Sequence, residues 1–75
     1  MKAEDKIVRE LAVRIRQLRQ AKGWSQERLA EEAGMHRTYL GGIEVARRNP
    51  SLRNLVRIAQ ALGVPVKALF DPSQL

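Results

Sequence analysis

The side chains best suited to chemistry in this 75-residue chain gather between Gln26 and Asn49, and what they suit is recognition rather than bond making. Arg37, Thr38 and Tyr39 follow one another at the opening of a short segment with helical apolar spacing. Such a trio at a helix start can enter a major groove. Arg addresses guanine O6 and N7 there, and Thr meets a base edge or a thymine methyl. Tyr can donate to a phosphate or pack on the sugar-phosphate wall. Arg47, Arg48 and Asn49 lie just beyond, and the two arginines are either a solvated loop pair or phosphate contacts. His36, just before Arg37, suits a helix cap or a phosphate contact better than a pH switch. Glu44 is the only acid between residues 35 and 60, a stretch with five arginines. An arginine partner suits it better than catalysis, because no second carboxylate stands at useful spacing and no nucleophile–base pair is evident. No enzyme activity is implied.

Composition narrows the chemistry further. The chain has no cysteine and one histidine, which removes disulfides, thiolate metal sites and histidine-rich metal sites. No metal, cofactor or small-molecule ligand is expected. No apolar run approaches the roughly 20 residues that span a bilayer, and the charged start Met1-Lys2-Ala3-Glu4-Asp5 has no signal-peptide pattern. The expectation is therefore a cytoplasmic protein without membrane contact. Fourteen Lys and Arg oppose eight Asp and Glu, for a formal net charge of +6, and ten of the fourteen are Arg. Arg suits bidentate contact with phosphate or guanine, so this balance points to a polyanion such as nucleic acid. The charge is also segregated: residues 26–34 carry three Glu against one Arg, and the basic stretch follows.

The elements that must position these groups are helical throughout. Ile7, Val8, Leu11, Ile15 and Leu18 recur at intervals that give one stripe on a helix over about 4–21, stopped by Gly23. Ser25 caps a second helix over 26–33, with Trp24 and Leu29 at staple spacing, and Gly34 ends it. Trp24 could instead stack on a base, but its spacing favours packing. A third helix runs over about 37–45, with Leu40 and Ile43 facing inward, and 46–50 form a loop. Ser51 caps a fourth over 52–62, where Leu52, Leu55, Val56, Ile58, Ala59 and Leu62 supply the stripe and Gly63 the stop. Pro65 opens a short fifth helix over 65–70. No strand pattern and no internal repeat appear, so the reading is one all-α domain over 1–75.

Ala30, Gly34, Leu40 and Ile43 are the small residue, turn glycine and two apolar anchors that let one short helix cross another closely. An ordinary helical hairpin would use the same spacing. The stretch Ser25-Gln26-Glu27-Arg28-Leu29-Ala30-Glu31-Glu32-Ala33-Gly34, then Ile43-Glu44, Asn49-Pro50-Ser51-Leu52 and Ile58-Ala59-Gln60-Ala61-Leu62-Gly63-Val64, resembles the Cro/cI-type (XRE family) helix-turn-helix regulators over about residues 7–70. The segment His36-Arg37-Thr38-Tyr39-Leu40 with Arg48-Asn49 is also similar to controller proteins of restriction–modification systems.

The resemblance implies a five-helix lambda-repressor-like domain that regulates transcription as a homodimer on a near-palindromic operator in double-stranded DNA. Gln26 would hold a backbone phosphate at the start of the second helix, and Arg37, Thr38 and Tyr39 would fall among the DNA-contacting positions. Arg48 and Asn49 would reach phosphates or the minor-groove edge, and Arg19 would pair with Glu44. One departure stands out: Gly41 and Gly42 replace the polar side chains that the family often carries. Two glycines in a row either let the backbone approach DNA closely, or let the helix adapt on binding, or mark a poorly ordered helix end with no direct reading role. Val64, Val66, Leu69 and Phe70 either finish the core or form a dimer patch. Two other classes fit parts of the sequence: an antitoxin or bridging module that meets a protein through the acidic second helix, and a basic protein that binds nucleic acid without sequence choice.

Overall fold

The computed structural model describes residues 3–71, with side chains from residue 5 onward. Four α-helices follow in order: α1 (Ala3–Ala21), α2 (Gln26–Ala33), α3 (Arg37–Glu44) and α4 (Leu52–Leu62). The all-α expectation holds, but the fifth helix is corrected to a single 3-10 turn, Val66–Leu69. Pro65 sits just ahead of it and the turn closes at Phe70 after four residues, too few to carry an α-helical ladder. Among the described residues no helix is long and apolar enough to cross a membrane.

The local signals explain why the helices begin and end where they do. Ser25 Oγ accepts from Arg28 N at 3.0 Å, and Ser51 Oγ accepts from Asn54 N at 3.2 Å. Each bond satisfies one of the orphan amides of a first turn. His36 stands at the N-cap of α3 with extended backbone but gives no side-chain cap bond. At the turn between α2 and α3, Gly34 adopts φ 68°, and Met35 N donates to Ala30 O at 2.9 Å. That left-handed residue reverses the chain so that α3 leaves at an angle across α2.

The core lies where all four helices and the 3-10 turn converge. Ile15, Leu29, Leu40, Ile43, Ile58 and Leu69 are its largest fully buried apolar side chains, and Trp24, Met35 and Tyr39 pack against it from the edge. Two expected stripe residues fall outside. Ile7 is 52% exposed, because the packed part of α1 begins a turn later at Leu11. Leu52 is 70% exposed, because it is the first residue of α4 and the packed face begins at Leu55. The four residues expected either to finish the core or to form a dimer patch also divide. Leu69 is buried in the monomer's own core and is unavailable as surface, while Val64 and Val66 are half-buried against that core. Phe70 remains 51% exposed, beside Val13 in a shallow groove between α1 and the 3-10 turn.

Candidate nucleic-acid interface

The interface is built outward from one buried acid. Glu44 ends α3 with its side chain fully excluded from solvent. Burying a carboxylate is costly unless charged donors surround it. Arg19 of α1 supplies two, with Nε donating to Glu44 Oε2 at 2.8 Å and Nη2 to Oε1 at 3.0 Å. This fork is the bidentate geometry in which Arg holds carboxylate most strongly. A third donor is Gln26 Nε2 of α2, 3.1 Å from Glu44 Oε1. Arg19 Nη1 also donates to the Trp24 carbonyl at 2.7 Å, and Arg16 Nη1 donates to the Glu44 carbonyl at 3.0 Å. One side chain thus ties together the end of α1, the start of α2 and the end of α3. That linkage fixes the angle of α3 against its predecessor.

Its consequence is an α3 whose front is exposed and whose rear is pinned. Leu40 and Ile43 are buried on the rear face. Arg37 and Thr38 open the helix and are exposed. Arg37 Nε donates to Glu27 Oε1 of α2 at 3.0 Å, a pair that is more than half exposed on both sides. The Glu27 carboxyl lies below its ordinary value of 4.5, first because its own backbone amide donates to it at the helix start, then through the hydrogen bond and charge of Arg37. Tyr39 is half-buried, and its hydroxyl accepts from Asn54 Nδ2 of α4 at 2.9 Å. The Arg48 guanidinium stands 6.0 Å from the centre of the Tyr39 ring.

The loop after α3 turns back over that helix. Ala46 takes a left-handed φ of 61°, and Arg47 N and Arg48 N both donate to Gly42 O, at 2.8 and 3.2 Å. Arg47, Arg48 and Asn49 are all exposed, and the first two are tied to the C-terminal half of α3. Space next to Gly42 is taken by the stem of Arg48, and that next to Gly41 faces Gln26 Oε1. His36 is exposed at the start of α3.

The residues singled out in the sequence therefore fall into three groups. Gln26, Arg37, Thr38, Tyr39, Arg48 and His36 lie on or beside α3, and Arg47 and Asn49 stand in the following loop, where they line a groove with Asp5, Val8 and Arg9 of α1. Arg19 and Glu44 lie behind it as a brace. Sequence reasoning missed Asn54, which holds the Tyr39 hydroxyl, and Arg16, which caps the Glu44 carbonyl. It also missed the Gln26–Glu44 bond, which spans 18 residues and leaves no periodic signal. The Arg37–Glu27 pair is equally silent in the spacing.

This arrangement, two short helices crossing at a left-handed glycine with the second pinned from behind, matches a helix-turn-helix family model over residues 15–69. The chain belongs to the helix-turn-helix family. Among its relatives is Control protein C.BamHI of Bacillus amyloliquefaciens, 49% identical over 59 residues, covering 77% of this chain and 73% of that protein. Another, described as a Neisseria hypothetical transcription factor of Neisseria meningitidis, is 45% identical over 64 residues. That match covers 85% of this chain but only 60% of the Neisseria protein. The crystal structure of the restriction–modification controller protein C.AhdI from Aeromonas hydrophila superposes with a TM-score of 0.83 at 44% identity, covering 84% of this chain and 96% of that one. The controller protein C.Esp1396I, solved as a tetramer in complex with its natural 35 base-pair operator, superposes with a TM-score of 0.81 at 32% identity. The match covers 88% of this chain and 87% of that one.

Proposed function

We propose that this helix-turn-helix protein is a transcriptional regulator of the controller type, which binds a near-palindromic operator in double-stranded DNA as a homodimer. The observation that carries the reading is the exposed Arg37–Thr38 front of a helix whose rear is locked by Glu44. A reading helix must be presented at a fixed angle, because contacts to base edges are short and directional. The operator-bound state of the similar C.Esp1396I supports the same partner for this chain.

Each residue then has a physical task. Gln26 lies at the start of α2, where the helix dipole and free first-turn amides favour a phosphate. Its amide nitrogen is held by Glu44, so the side chain is oriented before DNA arrives. Asn54 donates to the Tyr39 oxygen, which leaves the Tyr39 hydroxyl proton to be given to a phosphate. The Arg37–Glu27 pair is exposed and therefore weak, so Arg37 can leave it for guanine O6 and N7. Thr38 meets the neighbouring base edge, and His36, Arg47, Arg48 and Asn49 contact the flanking phosphates. Affinity comes mainly from these phosphate contacts, and sequence choice comes from α3 and the shape of the DNA.

The dimer uses the surface around Phe70, with Val64 and Val66 at its margin. It sets the two α3 helices about one helical turn, roughly 34 Å, apart. The test is competition in a gel-shift assay between a selected operator and random duplex. The reading expects the operator to win by about a thousandfold or more. Equal competition would leave a binder without sequence choice. No shift with either, together with recovery of a stoichiometric protein partner, would support the bridging class.

A further inference from the structure

Gly42 is unlike the turn glycines of this chain. The positive-φ glycines are Gly23, Gly34 and Gly63, whereas Gly42 lies inside α3 with ordinary helical backbone. A glycine there weakens the helix and gains nothing from its conformational freedom. What it provides is space. A Cβ at position 42 would lie 2.6 Å from Arg48 Cγ, and 3.6 and 3.7 Å from Arg48 Cβ and Cδ. The shortest of these is far inside van der Waals contact.

We propose that Gly42 is a positioning residue for DNA binding: it opens a notch in α3 through which the Arg48 stem crosses, so that the guanidinium is delivered beside Tyr39 on the DNA-facing surface. The notch is fixed from several sides. Arg47 N and Arg48 N both donate to the Gly42 carbonyl, so the backbone of Arg48 is anchored directly over the missing side chain. Tyr39, whose ring stands 6.0 Å from that guanidinium, is itself held by Asn54. Arginine is long and loses much rotamer freedom when it binds, so a stem that is already seated binds phosphate at lower entropic cost. The DNA ligand is taken from the function proposed above. The packing of Arg48 on Gly42 is a property of the free protein and does not depend on it.

The test is a double-mutant cycle with Gly42→Ala, Arg48→Ala and the double variant, measured by thermal melting and by affinity for a selected operator at several salt concentrations. Gly42→Ala should melt no lower than wild type, because alanine is the better helix former. Gly41→Ala sets the scale of that gain, since its added carbon would meet only Gln26 Oε1 at an ordinary 3.6 Å. Gly42→Ala and Arg48→Ala should each weaken operator binding by about tenfold and flatten the salt slope by about 1 per lost phosphate contact. In the Arg48→Ala background, Gly42→Ala should cost nothing more. A Gly42→Ala protein that binds like wild type while Arg48→Ala does not would overturn the proposal, and so would losses that add in full. Nuclear Overhauser contacts between the Gly42 α-protons and the Arg48 stem, sought in free protein, give an answer even if no duplex is bound. Their absence would also overturn it, whereas a failure of wild type to bind any duplex strikes the proposed function instead.

Discussion

Removing the Glu44 carboxylate probes the brace on which the orientation of α3 rests. In Glu44→Ala, the Arg19 guanidinium keeps its bond to the Trp24 carbonyl but loses both bonds to carboxylate. Its side chain is only 11% exposed, so little water can replace them. Breaking a buried pair from one side costs about 3–5 kcal/mol. The retained bond and the slight exposure put this case near the lower end, about 3 kcal/mol. A chain of this length holds roughly 4–11 kcal/mol in total, so the variant gives up a large share of its stability. For a domain of this size each kcal/mol moves Tm by about 4–8 °C, which predicts a fall of roughly 12–24 °C. Circular dichroism melting with urea titration reads it. The double variant Arg19→Met, Glu44→Leu should recover part of the loss, because it removes both charges from the interior, while the Trp24 carbonyl and the Gln26 amide still lose a partner. A Tm within about 3 °C of wild type for Glu44→Ala, or a double variant no better than the single one, would show that the buried pair does not carry this stability.

The Glu27 carboxyl is held below its ordinary value of 4.5, so its contribution to the folded state is complete above that value and is lost as pH falls through the depressed folded-state value. An NMR titration should place its midpoint under 4.5 and nearer to it in Arg37→Gln, and a midpoint unmoved by that substitution would remove Arg37 as a cause. If a dimer makes about 8 phosphate contacts, log affinity should fall with log salt at a slope near −7, and a flat response would remove the electrostatic part of the mechanism. Phe70→Ser should raise the dimer dissociation constant by about tenfold or more in sedimentation equilibrium, as burial of one exposed aromatic would predict. An unchanged constant would move the interface elsewhere.

What the sequence disclosed and what it withheld follow from the range of the interactions. Helix starts at Ser25 and Ser51 and the turn at Gly34 are encoded within a few residues, and the structure has them where those residues stand. Periodicity assigned Leu11, Ile15, Leu40 and Ile43 to the interior, but it could not say how far along a helix the packing extends. Ile7 and Leu52 have the right phase and lie beyond the packed turns. The last segment has the apolar residues of a helix and too little chain between Pro65 and Phe70 to form one. The brace divides in the same way. Glu44 is conspicuous as a lone acid, and family resemblance names Arg19 as its partner. The roles of Gln26 and Arg16 around it depend on the crossing of three helices, which spacing does not encode. Gly42 is legible as an anomaly in a helix, and only the path of Arg48 gives it a physical reason.

In the proposed function, the front of α3 reads duplex DNA as one half of a symmetric pair. Selection of binding sites from random duplexes, run in parallel with wild type and Arg37→Ala, tests it most directly. Inverted half-sites centred about 10 base pairs apart should be enriched. Arg37→Ala should relax the preference at one position in each half-site, at a cost of about 1–3 kcal/mol on the selected operator. Enrichment of nothing above background, or a selected sequence that Arg37→Ala leaves unchanged at every position, would contradict the proposed function.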